Sequence, residues 1–148
     1  MRRREALTDE LGYLAGIVDG EGYIGANAGN DCLHRFSRFQ LRVAMCDPQP
    51  AELLADLYGG AIQIHARPAG RRTLFVWDSY GDRAAGVLAD LLPYLRVKRG
   101  QAEALLEARN TFHNRTGQHA PISEQDYLLR DICGRRVRQL NQRVIGGP

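Results

Sequence analysis

The sequence predicts an α/β fold of the α+β kind with the element order αββαββα, its four strands in one mostly antiparallel sheet and helices on one face of that sheet. Three observations carry this. Apolar residues at helical spacing give way twice to pairs of period-two runs, and a turn-forming loop joins the strands of each pair. The better-defined strands also place apolar residues on one side and arginine or glutamine on the other, so one face is core and the other cationic. At 148 residues and 44% hydrophobic residues, the chain is long enough for one domain with a real core and too short for two. Residues 1–148 are read as that domain, with a core over about 8–112 and a basic helical extension over about 122–143.

Thr8 can cap a first helix whose opening turn holds Asp9 and Glu10, acids that suit the positive end of the helix dipole, and the helix is expected to run to about Val18 or Asp19. Gly12, Gly16 and Gly20 recur every four residues within it, with Ala15 beside them. A glycine inside a helix costs roughly 1 kcal/mol, so three in register imply a compensating contact, and close packing against a second helix supplies one. Tyr23 to Ala28 reads as a strand, followed by a loop through Gly29, Asn30 and Asp31. A longer strand runs from about Arg35 to Met45, with Phe39, Leu41, Val43 and Met45 facing one way and Arg38, Gln40 and Arg42 the other.

Pro48 and Pro50 open a helix over about 50–58, ended by Gly59 and Gly60. A second hairpin spans Ala61 to Arg67 and about Arg72 to Asp78, turning through Pro68, Ala69 and Gly70. Its first strand alternates Ile62 and Ile64 with Gln63, His65 and Arg67. Its second strand leaves two inward sets open, Phe75 with Trp77 or Leu74 with Val76. Helices are expected over 82–92 and 98–112, separated by Pro93-Tyr94-Leu95. A polar loop covers Asn114 to Ile122, and Ser123 with Asp126 starts a last helix reaching about Asn141.

The formal net charge is only +3, but arginines cluster at Arg2 to Arg4, around Arg38 and Arg42, around Arg67, Arg71 and Arg72, and at Arg135 to Arg143, which suits a polyanionic partner. Lys98 is the one lysine among 20 basic residues. Arginine replaces lysine freely wherever only surface charge is needed, but not where a compact ammonium that can lose its proton is required. That singles out Lys98 for chemistry. Cys32, Cys46 and Cys133 are odd in number, far apart and without C-x-x-C pairing, so neither a zinc knuckle nor a disulfide framework is indicated and a reducing, intracellular setting is expected. Glu5, Asp9 and Glu10 interrupt the stretch after the basic start, and no apolar run reaches membrane-spanning length. His113 and His119 lack paired ligands at zinc spacing, and neither a glycine-rich phosphate loop nor a Ser/His/Asp arrangement is evident.

The run Leu14-Ala15-Gly16-Ile17-Val18-Asp19-Gly20-Glu21-Gly22 resembles the LAGLIDADG motif, and Leu92-Pro-Tyr-Leu-Arg-Val-Lys-Arg-Gly-Gln-Ala-Glu103 is similar to the segment that carries the active-site lysine in the small homodimeric homing endonucleases of that family. With the order of elements, the resemblance covers about residues 8–112. It implies a homing endonuclease fold and a homodimer in which two motif helices pack along their small residues, here Gly12, Ala15, Gly16 and Asp19. Their C-terminal ends would deliver two carboxylates to the centre of a long, roughly palindromic double-stranded DNA site. Glu21 maps onto the metal-binding acid, with the Gly20 carbonyl as a further ligand, and Lys98 onto the basic residue that polarises the attacked phosphate or orders water. A carboxylate is a hard oxygen donor suited to Mg²⁺, and ions held between two of them can activate water and stabilise the leaving oxygen on each strand.

Arg38, Gln40, Arg42, Gln63, His65, Arg67 and Arg72 are the expected DNA contacts, because an antiparallel sheet fits the major groove, where arginine pairs with guanine and glutamine with adenine. The chain departs from the family pattern at Met45, in Val43-Ala-Met-Cys-Asp47, where many small members have a glutamine that orders active-site solvent. That role is either absent or passes to Asp47 or Gln40. The alternative to a cutting enzyme is therefore a non-cleaving nucleic-acid-binding protein on the same fold, an intron maturase or a transcription regulator.

Overall fold

The computed structural model describes residues 2–28, 37–112 and 123–143. Helix α1 (Arg2–Glu21) leads into strands β1 (Gly22–Ala28) and β2 (Ser37–Met45), helix α2 (Gln49–Tyr58), strands β3 (Ile62–His65) and β4 (Leu74–Tyr80), and helix α3 (Gly81–Leu91). A 3-10 turn over Leu92–Tyr94 precedes α4 (Arg99–Ala108), a second follows at Arg109–Thr111, and α5 (Glu124–Arg143) ends the described chain. The expected αββαββα order is present. The sheet is antiparallel throughout, in the order β1-β2-β4-β3.

Three boundaries differ from expectation for local reasons. Thr8 lies inside α1 rather than at its start, because residues 2–10 hold neither proline nor glycine to stop the helix propagating backwards. The helix also continues past Asp19 to Glu21, where Gly22 makes the turn into β1. A Cβ at Gly22 would stand 2.7 Å from the Val18 carbonyl oxygen, so only glycine permits this close approach. The β3–β4 hairpin is shorter than expected, which puts Arg67 and Arg72 in its connection. There the Arg67 Nε donates to the Arg72 carbonyl at 2.7 Å and ties the loop across its base.

Pairing decides the faces of β4. Trp77 lies opposite Val43 and Phe75 opposite Met45, so Phe75 and Trp77 share the core side with Phe39, Leu41 and Val43. Both candidate rows are apolar, which is why alternation alone leaves them open. Trp77 is fully buried and anchors its indole N–H on the Gly59 carbonyl at 3.0 Å. Val76 is also buried, but on the opposite face, between Ala44 and Gln63 and outside the main cluster. The main cluster unites Leu14, Ala15 and Val18 of α1 with Leu54 of α2, Leu88 and Leu91 of α3, Leu105 of α4 and Val137 of α5, all set against one sheet face.

Helix α5 closes the β1 edge of the sheet. The Arg138 guanidinium donates to the Ala26 carbonyl at 3.0 Å and the Asn141 amide to the Ile24 carbonyl at 2.9 Å, so groups that would otherwise invite a further strand are taken. The start of this helix is as expected, with the Ser123 Oγ accepting from the Asp126 amide at 3.1 Å. His113, His119, Cys32 and the expected loops at 29–31 and 114–122 lie outside the described residues. Among the described residues no helix is long and apolar enough to cross a membrane.

The packing makes a contrast in urea unfolding the direct check. Leu41→Ala, at a fully buried site on a central strand, is expected to cost about 2–5 kcal/mol. Ile64→Ala, at a side chain 67% exposed on the edge strand β3, should stay within about 0.5 kcal/mol. Equal losses would show that the edge strand β3 is covered as fully as the central strand β2.

Candidate functional site

The last turn of α1 and the turn before α4 are clasped reciprocally. Asp19 Oδ1 accepts from the backbone amides of Val97 at 3.1 Å and Lys98 at 2.9 Å, and its Oδ2 accepts from the Arg96 amide at 2.9 Å. Three successive N–H groups ahead of a helix N-terminus form a cradle for negative charge, strengthened by the positive end of the helix dipole. In return the Lys98 ammonium donates to the carbonyls of Val18 and Asp19, both at 2.9 Å, at the negative end of α1. Asp19 therefore holds an element end in place.

The clasp brings the Lys98 ammonium within electrostatic reach of Glu21 without an ion pair between them. Burial lowers the pKa of the Lys98 ammonium from its ordinary value, and the charges of Asp19 and Glu21 oppose that effect. Glu21 is exposed, with no hydrogen-bond partner among the described residues. Its carboxylate is an uncommitted hard donor at the end of the motif helix. Among the described residues no three Asp, Glu, His or Cys side chains gather as a ready-made cation site. The described residues thus offer one free carboxylate within reach of one ammonium, a set that fits a divalent ion only with further oxygen donors.

The glycine row lies along a face that no described part of the chain fills. A Cβ built at Gly12, Gly16 or Gly20 meets no atom within 4 Å. Ala15 does not belong to this row: it is fully buried in the chain's own core, because it projects with Leu14 and Val18 toward the sheet. Asp19, also expected at a subunit seam, spends both carboxylate oxygens on its own chain. Gly12, Gly16 and Gly20 are the open part of the helix.

On the sheet, Arg38, Gln40 and Arg42 of β2 and Gln63 and His65 of β3 lie on the face away from the helices. Arg38, Gln63, His65, Arg67 and Arg72 are exposed. Gln40 is only 7% exposed, because its Nε2 donates to Asp78 Oδ1 at 2.9 Å and to the Tyr80 hydroxyl at 3.1 Å. Arg42 Nη1 stands 3.9 Å from Asp78 Oδ2, and the Arg38 guanidinium lies 4.4 Å above the centre of the Tyr80 ring. Gln63 Oε1 is 3.2 Å from His65 Nε2. Asp78 and Tyr80 are the functional candidates that sequence reasoning missed. Period-two counting outward from an inward Trp77 finds Asp78, but the sequence alone does not decide that phase, and Tyr80 lies past the expected end of the strand at Asp78.

Met45 packs toward the core, and Ala44, one position past the Gly22–Val43 pair, occupies the open face next to the end of α1. Neither orders solvent. Asp47, the first alternative for that role, accepts the Gln49 amide at 2.9 Å at the entry to α2, and Gln40, the second, is held by β4.

No family model matches the chain, and no curated protein does. Among solved structures, the homing endonuclease I-CvuI in complex with DNA is similar at 23% identity and a TM-score of 0.58, over 95% of this chain and 98% of that one. The archaeal intron-encoded homing endonuclease I-Vdi141I, also in complex with DNA, gives 13% identity and 0.57 over 91% and 98%. Meganuclease I-SmaMI gives 14% and 0.58, over 93% of this chain but 45% of that one. The chain has the LAGLIDADG homing endonuclease fold.

The clasp has a measurable worth. Asp19→Ala removes the acceptor for three amides and is expected to lower the unfolding free energy by about 1.5–3 kcal/mol, the range for hydrogen bonds to a charged group. Asp19→Asn, which keeps one acceptor oxygen, should lose less. An Asp19→Ala variant as stable as the parent in chemical denaturation would contradict the clasp.

Proposed function

We propose that this chain is a sequence-specific DNA endonuclease that acts as a homodimer on a long, roughly palindromic site and depends on a divalent metal ion, Mg²⁺ by preference. The observation that carries the reading is the uncommitted carboxylate of Glu21 beside Lys98 at the end of a helix whose glycine face is open. A lone carboxylate is half a site, and a second copy packed along Gly12, Gly16 and Gly20 would bring the other half. The match to I-SmaMI supports this, because one chain of that meganuclease has room for roughly two units of this length. I-CvuI has been seen on DNA with 2 mM Mg and with 2 mM Ca, which favours a divalent ion for a chain of this fold.

In this reading Glu21 and the Gly20 carbonyl from each subunit would hold the metal, with DNA phosphate oxygens completing its shell. The ion would supply Lewis-acid stabilisation and a water made nucleophilic near neutral pH. The chain's own residues do the positioning. Lys98, fixed by two carbonyl acceptors, sets a cationic donor beside the phosphate that Glu21 approaches, and Asp19 keeps Lys98 from swinging away. The face bearing Arg38, Arg42, Gln63 and His65 lies in the major groove, and Arg67 and Arg72 in the hairpin connection take phosphates.

A second reading, binding without cutting, has one specific observation in its favour. Ala44 and the inward Met45 put no polar side chain at the two β2 positions that follow the Gly22–Val43 pair. Glu21→Gln separates the two readings. It keeps the shape and removes the charge, so DNA binding should persist in a mobility-shift assay while cleavage falls below detection. A Glu21→Gln protein that still cuts would remove Glu21 from the reaction.

The dimer is tested independently by Gly16→Leu. Because a Cβ there meets nothing and the position is exposed, the substitution is expected to be accepted by the monomer and to favour the helix by roughly 1 kcal/mol. In sedimentation equilibrium the parent should be dimeric and Gly16→Leu largely monomeric with its circular dichroism unchanged. Unchanged dimer affinity would place the subunit seam elsewhere.

A further inference from the structure

We infer that Asp78 and Tyr80 of β4, to which no DNA contact is assigned above, determine what β2 reads in DNA; this rests on the DNA-reading face proposed above. The starting point is hydrogen-bond arithmetic at Gln40. A glutamine amide has two N–H donors and one oxygen acceptor, and bidentate recognition of adenine needs one donor together with the acceptor. Both acceptors of the Gln40 Nε2 are already present in the chain, Asp78 Oδ1 at 2.9 Å and the Tyr80 hydroxyl at 3.1 Å. What remains is Oε1, which takes no partner among the described residues. Gln40 is thus converted from a donor and acceptor into an acceptor only, able to receive an exocyclic amine and unable to make the bidentate adenine pair.

The same two residues act on the flanking arginines. Asp78 Oδ2 stands 3.9 Å from Arg42 Nη1, close enough to bias the guanidinium toward one orientation while the side chain stays 38% exposed. The Tyr80 ring carries Arg38 4.4 Å above its centre. Register explains the convergence: Gln40 is paired with Tyr80 and Arg42 with Asp78 across the β2–β4 ladder, and all four side chains share the open face. A carboxylate there is unfavourable for binding a polyanion. Its return is orientation: it holds Gln40 and Arg42 before DNA arrives, as the Tyr80 ring holds Arg38, so less conformational freedom is lost on binding.

Charge and orientation make opposite predictions, and this gives the test a readout that a purely structural role would not move. Asp78→Asn removes a negative charge from the interface but keeps the shape. Affinity for random-sequence duplex should therefore rise, with a steeper loss of binding as salt increases, by up to about one phosphate equivalent. Discrimination at the base pairs read by β2 should fall by roughly 5- to 150-fold, the range of one bidentate base contact. Tyr80→Phe frees one Gln40 donor while keeping the ring beneath Arg38. It should shift the preference at a single position toward adenine and leave the neighbouring arginine positions unchanged.

Both variants and the parent would be put through binding selection from a randomised duplex library in Ca²⁺, alongside fluorescence titration at several salt concentrations and thermal melts. Binding selection does not depend on cleavage. A parent that binds and discriminates, with Asp78→Asn and Tyr80→Phe both folded and selecting the parent's sequence, overturns this inference and leaves the proposed function standing. A parent that binds no duplex overturns the proposed function and this inference with it. Should Asp78→Asn fail to fold, Tyr80→Phe decides alone, its unchanged preference counting against the inference.

Discussion

Everything at the candidate site depends on the clasp between Asp19 and the turn at residues 96–98. Two helix ends of opposite polarity meet there, and each is satisfied by the other element: three amides by the Asp19 carboxylate, two carbonyls by the Lys98 ammonium. The ends of α1 and α4 would otherwise carry unsatisfied backbone groups near a partly buried lysine. Because the clasp meets that need internally, Glu21 is left with none of this work and stays available. Acidic residues are unfavourable at a helix C-terminus, and the two acids of the motif meet the penalty differently: Asp19 turns to the dipole of another helix, and Glu21 is exposed to solvent within electrostatic reach of Lys98.

The same separation of duties appears across the sheet. One face is committed to packing, with Phe39, Leu41, Val43 and Trp77 gathering helices from the whole chain. The opposite face carries the polar side chains, and there the ladder register brings Asp78 and Tyr80 against Gln40 and Arg42. Helix α5 closes the β1 edge through Arg138 and Asn141. Three features stay open in the described chain: the glycine row on α1, the Glu21 carboxylate and the polar face of the sheet.

Much of this is legible in the sequence, for identifiable reasons. The alternation of β2 has strongly contrasting sides, so its faces can be read directly, and the spacing of Gly12, Gly16 and Gly20 marks a helix face that only small residues serve. The phase of β4 is not legible, because Leu74 and Val76 are as apolar as Phe75 and Trp77, and only strand pairing separates them. Asp78 escapes notice as a result, and Tyr80 because the strand runs two residues past its expected end. Proximity in sequence places Ala15 with the glycine row, whereas helical geometry turns it toward the core with Leu14 and Val18. The role of Asp19 as an acceptor for backbone amides can be anticipated, but not the identity of amides more than seventy residues away.

The proposed activity requires that an exposed glutamate near a clasped lysine cut DNA when two copies of the chain meet on it. Its most direct measurement is selection from a randomised or genomic duplex library with the full chain, in Mg²⁺ and in Ca²⁺, with sequencing of bound and cut molecules. The expected result is enrichment of one roughly palindromic sequence under both ions and cleavage of both strands at its centre in Mg²⁺. Enrichment under both ions with no cleavage under either would contradict the claim and leave a DNA-binding protein on an endonuclease fold.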